Sequence, residues 1–330
     1  MNRRFGWFAA LLCAAALFAG ACAGGGEEEA AENPEQAFSE ALDALAEYEG
    51  ITVEMTVEGD PASLAAQDMT EEEAEKLLDS SLTISAKGET AADAQAQIVV
   101  NVAGNEDAVE LRVREQTLYA RLEVRDLVEE FGGNAAEIDA TVEQATAQGF
   151  DFARPLVDGE WIGIEGIDEL AEQFGGGAAS PDAEEAQAIA DELAQILDQN
   201  ARVTSEGTDD VGAHLVVTLA LKDVVSESLD ALQGLSGAPA GAIPSDALQE
   251  VPDAEIPVDV WISDGQIVQI EFDVVKISEE LDEPQPEGVE DMALRMTVDE
   301  FTDDVEAPSD FTPIDLQEIL QTVFGGLGTM

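Results

Sequence analysis

The sequence predicts an α+β fold organised around one large antiparallel sheet of about nine to ten strands. Three observations carry that prediction. Runs of alternating apolar and polar residues follow one another across short polar turns. Amphipathic stretches of helical period stand before, between and after those runs. Strand and helix do not alternate in the regular way that builds a parallel sheet. A sheet of that many strands is long enough to curl.

The chain opens with a targeting segment, residues 1–21. Arg3 and Arg4 form a positive start, Phe5 to Phe18 is a mostly apolar run too short to span a bilayer comfortably, and small residues lead into Cys22. This is the pattern of a secretory signal peptide and predicts an extracytoplasmic protein. Ala19-Gly20-Ala21-Cys22 resembles a bacterial lipobox, departing from it in Ala19, where Leu is usual, with Leu17 two residues earlier. The resemblance implies cleavage before Cys22 and a diacylglycerol and palmitate anchor on that cysteine, holding the protein to the cell membrane. An unlipidated cleavage nearby and an uncleaved signal anchor are the alternatives. Cys13 lies inside the apolar run, so after cleavage Cys22 is the one cysteine left and no intramolecular disulfide can form. Residues 22–33 are Gly-rich and then acidic, with nothing to bury, and are expected to form a flexible acidic tether.

Residues 34–330 are expected to fold as a single domain. Asn33 can cap a helix, Pro34 suits its first position, and Phe38, Ala41, Leu42, Leu45 and Tyr48 recur at helical spacing before Gly50. The period then changes to 2 in ITVEMTVEG, where Val53, Met55 and Val57 share a face. An acidic insertion follows, and then LTISAKGE, AQIVVNVAG, AVELRVRE and TLYARLEV read as a meander of strands. Asp126 to Phe131 and Ile138 to Gln148 read as short helices, and EWIGIEG as a short strand. In residues 182–199, Ala186, Ile189, Ala190, Leu193, Ile196 and Leu197 make one apolar stripe, a clearer helix.

Period 2 returns in ARVTSEG and VGAHLVVTLAL, a helical stretch VVSESLDAL follows, and the Gly- and Pro-rich residues 234–257 read as a long loop. EIPVDVWIS and QIVQIEFDVVKI form the best hairpin signal, joined by Asp264-Gly265, the pair that suits a type I′ turn. Ile256, Val258, Val260 and Ile262 are expected to face Val268, Ile270, Phe272 and Val274. One more strand, MALRMTVDEF, precedes Thr312-Pro313, which is expected to open a final helix carrying Leu316, Ile319, Leu320, Val323 and Phe324.

Composition excludes several function classes. The formal net charge is −60, from 73 acidic and 13 basic residues, so nucleic acid and anionic membrane surfaces are repelled. An acidic excess of this kind suits work in high salt, where charge repulsion is screened within a few Å. The acids are spread along the chain without EF-hand spacing, and no metal or other cofactor is expected. With 5% aromatic residues there is little material for a sugar-stacking platform.

Chemistry has few places to sit. The one histidine, His214, shares a strand face with Val216, Thr218 and Ala220 and reads as a packed or edge histidine. GLSGA around Ser236 lacks the second glycine of a nucleophile elbow, and neither G-x-x-x-x-G-K nor G-x-G-x-x-G occurs. Arg112 and Arg114 are expected on one strand face, and Arg121 and Arg125 with Tyr119 on one face of the next strand. They read as cross-strand partners for carboxylates, or as a small cationic rim for an anionic ligand head. No catalytic residue is assigned and the protein is expected not to be an enzyme.

The whole layout resembles a family. The lipobox, the capped helix feeding a strand, LYARLEV after RVRE, the hairpin VDVWISDGQIVQIEF and the closing MTVDEFTDDVEAP look like the LppX/LprG-type envelope lipoproteins of actinobacteria, which share the fold of the LolA lipoprotein carriers. The resemblance is most specific over residues 257–308 and weaker over 33–125; 132–200 and 226–255 read as insertions. It implies an unclosed half-barrel, a strongly curved antiparallel sheet with helices covering its concave face and an apolar cavity between them. It implies binding of a lipid or lipoglycan through its acyl chains and its transport or presentation in the envelope, with an envelope transporter as a candidate partner. The expected cavity lining is Val258, Val260, Ile262, Val268, Ile270, Phe272, Leu294 and Met296, with Phe38, Leu42 and Leu45 from the covering helix. Periodicity alone fits a filled core equally well, which would make the protein a structural or interaction lipoprotein of the envelope. A two-lobed solute-binding protein is disfavoured by the strand order.

Overall fold

The computed structural model of the protein describes residues 27–45, 48–65, 69–88, 93–165, 183–233, 251–281, 289 and 291–314. The signal segment with Cys22, the loop over 234–250 and the final helix expected beyond residue 314 lie outside them. No helix among the described residues is long and apolar enough to cross a membrane.

The strands are β1 (Gly50–Gly59), β2 (Ser81–Lys87), β3 (Gln95–Val102), β4 (Asn105–Arg114), β5 (Thr117–Leu122), β6 (Ile162–Glu165), β7 (Ala201–Thr208), β8 (Ala213–Ala220), β9 (Glu255–Ser263), β10 (Gln266–Asp273), β11 (Met292–Glu300) and β12 (Thr312–Ile314). They form a 12-stranded, mostly antiparallel sheet that is not closed into a barrel, larger than the nine to ten strands expected. The strand order is β12-β6-β5-β4-β3-β2-β1-β11-β10-β9-β8-β7, two meanders that meet where β1 pairs antiparallel with β11. Ten helices are described: α1 (Glu27–Glu32), α2 (Pro34–Leu45), α3 (Pro61–Ala65), α4 (Glu71–Leu78), α5 (Val124–Glu130), α6 (Ala135–Ala147), α7 (Ala153–Val157), α8 (Ala183–Asn200), α9 (Leu221–Gln233) and α10 (Val274–Glu280).

Four elements differ from expectation for local physical reasons. Glu27–Glu32, expected as tether, is helical: its Glu and Ala residues favour helix, and Ala30 is small enough to be fully buried where α1 meets β7 and β8. The acidic insertion contains α3 and α4. Val274 lies in α10 and not in the hairpin, because the Asp273 carboxylate accepts hydrogen bonds from the backbone N–H of Val275 and Lys276 and so caps a helix there. Thr312-Pro313 is strand and not helix: β12 pairs parallel with β6 at the sheet edge, where proline's missing N–H is tolerated.

The chain divides into two compact units, Met1–Glu71 with Ala178–Glu300, and Glu72–Gly177 with Phe301–Met330. In the first, α2 and α8 contribute Phe38, Leu42, Leu45 and Leu197 to a closed core with the inner residues of β8 to β11. The Asp264-Gly265 turn has φ of 51° and 79°, the left-handed pair that a type I′ turn requires. In the second, β2 to β6 carry an apolar face and a polar face, and residues 301–311 run over the polar one.

Candidate functional site

Alternation sorts the second unit's strands into three aliphatic rows. Cross-strand pairing aligns Ile84, Ile98, Leu111, Ala120 and Ile162; Leu82, Val100, Val109 and Leu122; and Ala86, Ala96, Val113, Leu118 and Ile164. At the β5–β6 end, Ala120, Ile162 and Ile314 are buried, with Phe152 at the start of α7 and Leu156 within it packed against them. Across β2 to β4 the rows stay half-buried, Ile84, Ile98, Val100, Leu111 and Val113 among them. Aliphatic side chains in ordinary cores lose nearly all contact with water. Among the described residues this face is covered only in part: Leu111 packs against the Ala120–Ile162 cluster, while Ile84, Ile98, Val100 and Val113 keep some contact with water.

The opposite face is polar yet better sealed. Glu110, 2% exposed, accepts hydrogen bonds from Gln97 Nε2 (2.7 Å), Arg112 Nε (2.7 Å) and Arg121 Nη2 (3.0 Å). The Arg112 and Arg121 guanidinium groups lie 4.8 and 5.3 Å from the Trp161 ring centroid. Residues 301–311 are strapped across this face. Lys87 pairs with Asp304 at 2.9 Å, Gln95 Oε1 accepts from the Val305 N–H, Arg112 donates to the Glu306 carbonyl, and Phe311 packs edge-on to Tyr119. Gly163 is required beneath Phe311, since a Cβ there would overlap its ring.

The arginines thus hold structural carboxylates. Arg112 and Arg121 share Glu110, Arg114 lies 3.9 Å from Asp304, and Arg125 pairs with Asp139 and Asp158. Arg125 sits in α5 rather than on a strand beside Arg121, because β5 ends at Leu122. Glu110 was not singled out from sequence; its signal is the spacing V-E-L-R-V-R opposite Y-A-R, which sets one acid between two arginines on a single face.

The residues expected to line a cavity are brought together, but in the first unit and as a filled core. Phe38, Leu42, Leu45, Val258, Val260, Ile262, Ile270, Phe272 and Met296 are buried in one cluster, with Val258 and Val260 0% exposed, and Leu294 packs against it half-buried. Val268 does not join them. A bulge between Ile267 and Gln269 shifts the pairing, so Ile267 meets Ile262 and takes the inward place that strict alternation gives to Val268.

On the outer face of the same strands, His214 stacks on Trp261 at 4.4 Å and its Nε2 lies 2.7 Å from Asp259 Oδ1. Trp261 Nε1 donates to Asp209 (2.8 Å), and Lys276 Nζ reaches Asp259 and Asp273, both at 3.4 Å. The Trp261 N–H, with help from the Val211 and Gly212 amides, holds the Asp209 carboxyl below its ordinary value. This network packs a histidine and ties it to the strand beside it. The described residues do not gather three metal-ligating side chains.

Compared with protein-family models and with curated proteins, the chain matches none. Its reading therefore rests on its own surfaces. Of these, the aliphatic rows of β2 to β4 are the feature that a ligand could use.

Proposed function

We propose that the protein is a non-enzymatic envelope lipoprotein, exported and anchored to the cell membrane through Cys22, that holds the acyl chains of a lipid or lipoglycan and carries or presents it. The observation that supports this reading is the half-buried aliphatic face of β2 to β4, in contrast to the filled core of the first unit. The ligand surface in this reading is Ile84, Ile98, Val100, Leu111 and Val113, in place of the residues around Val260. The reading takes with it the finer fold expectation, a half-barrel with helices over its concave face, and keeps an envelope transporter as candidate partner.

Contact with about ten methylenes of an acyl chain contributes roughly 8 kcal/mol gross. Association costs of about 4 to 15 kcal/mol oppose it, so a single short chain does not suffice and a ligand with two or more long chains is expected. The filled first unit favours a second reading, a structural or interaction lipoprotein without ligand. Native mass spectrometry of the chain carrying Cys22→Ser, which blocks acylation, separates them. A stoichiometric lipid recovered by organic extraction supports the carrier reading. A bare protein mass that persists after incubation with phospholipids and glycolipids supports the structural one and refutes the first.

A further inference from the structure

Acyl chains explain the apolar rows but leave the head group open, and the charge around those rows restricts it. Residues 72–165 and 301–314, which contain β2 to β6 and β12, hold 25 acidic residues against 7 basic ones. Six of those basic side chains are already committed. Lys76 pairs with Glu72 and Glu130, Lys87 and Arg114 face Asp304, Arg112 and Arg121 share Glu110, and Arg125 lies between Asp139 and Asp158. Arg154, exposed on α7, is the seventh.

The ends of the strands that carry the aliphatic rows are acidic. Glu115 is exposed in the β4–β5 turn and Glu165 is exposed at the end of β6. At the other ends of the strands stand Asp79, Glu106 and Asp107, all exposed. A head group carried by acyl chains lying along the strands, across these rows, emerges among these carboxylates, whichever end it uses.

We infer that the bound amphiphile has a head group without net negative charge, such as a neutral diacylglycerol or glycosyl head, and that anionic lipids are rejected electrostatically. This inference rests on the carrier reading and narrows its substrate class. The rejection acts across water over a few Å to about one screening length, so it weakens with salt. The screening length falls from about 10 Å at 0.1 M to about 3 Å at 1 M ionic strength.

The test uses the chain carrying Cys22→Ser and three dioleoyl lipids that differ only at the head: diacylglycerol, phosphatidylcholine and phosphatidylglycerol, delivered from cyclodextrin and counted per protein after gel filtration. At 20 mM salt the phosphatidylglycerol affinity is expected to be at least tenfold weaker than that of the other two, and at 1 M salt the gap should shrink to about twofold. A triple change of exposed residues, Glu106→Lys, Glu115→Lys and Glu165→Lys, should close the gap at low salt without altering diacylglycerol uptake. Equal or tighter binding of phosphatidylglycerol at low salt, or a gap that ignores both salt and the triple change, overturns the head-group inference and leaves the carrier reading standing. Failure of all three lipids to bind overturns the carrier reading itself.

Discussion

Truncating one isoleucine in each unit measures how open the aliphatic rows are. Ile270, 1% exposed, lies in the closed core of β8 to β11, whereas Ile98 is half-buried on β3 between Ile84 and Leu111. Replacing either by alanine removes three carbons, a transfer loss of about 2.4 kcal/mol if the side chain was fully buried. At Ile270 the void is enclosed, and a cavity of about 80 Å³ adds roughly 2 kcal/mol, for a total near 4 kcal/mol. At Ile98, which is only partly exposed, most of the transfer loss applies but the void opens to solvent, so the cost is about 2 kcal/mol. Urea unfolding of Ile98→Ala and Ile270→Ala, followed by far-ultraviolet circular dichroism, reads both. Equal costs near 4 kcal/mol would show that the rows are sealed and would remove the proposed ligand surface on which the proposed function rests.

Other expectations follow from the same packing. Ile267→Asp should prevent stable folding because it puts a carboxylate into the closed core, while Val268→Asp should fold and lose under about 2 kcal/mol; similar losses measured by thermal melts would contradict the bulge assignment. Glu110→Ala should cost about 3 kcal/mol, the low end for a broken buried ion pair because both arginines keep partial solvent contact, and should change Trp161 fluorescence; a cost within 0.5 kcal/mol, roughly that of an ordinary surface change, would refute its role in holding Arg112 and Arg121. Asp209 is held below its ordinary value of 3.8 by the Trp261 N–H. Its contribution is therefore complete above that value and lost as pH falls below it through the lowered one, so Asp209→Asn should show a shallower acid loss of melting temperature than the parent between pH 4 and about 2; parallel curves would refute it. With a net charge of −60, the melting temperature should rise steeply with sodium or potassium chloride, and a rise with micromolar calcium alone would point instead to a specific cation site.

What the sequence determined by itself was local. Alternation in ITVEMTVEG, AQIVVNVAG or VGAHLVVTLAL, the left-handed Asp264-Gly265 pair and the apolar stripe of α2 depend on near neighbours in the chain, and the corresponding strands, turn and helix stand where their periods put them. The set Phe38, Leu42, Val258, Val260 and Phe272 was legible as one apolar cluster for the same reason. Tertiary structure decided the rest. Period 2 says which residues share a face but not how many layers cover it, so filled Val260 and half-buried Ile98 read alike in sequence. A bulge costs one residue and leaves no compositional mark, so Val268 and Ile267 exchanged roles. Glu110 lies among 73 acids and became distinctive only when register brought Gln97, Arg112 and Arg121 to it, because the cost of burying a charge is set by neighbours distant in the chain.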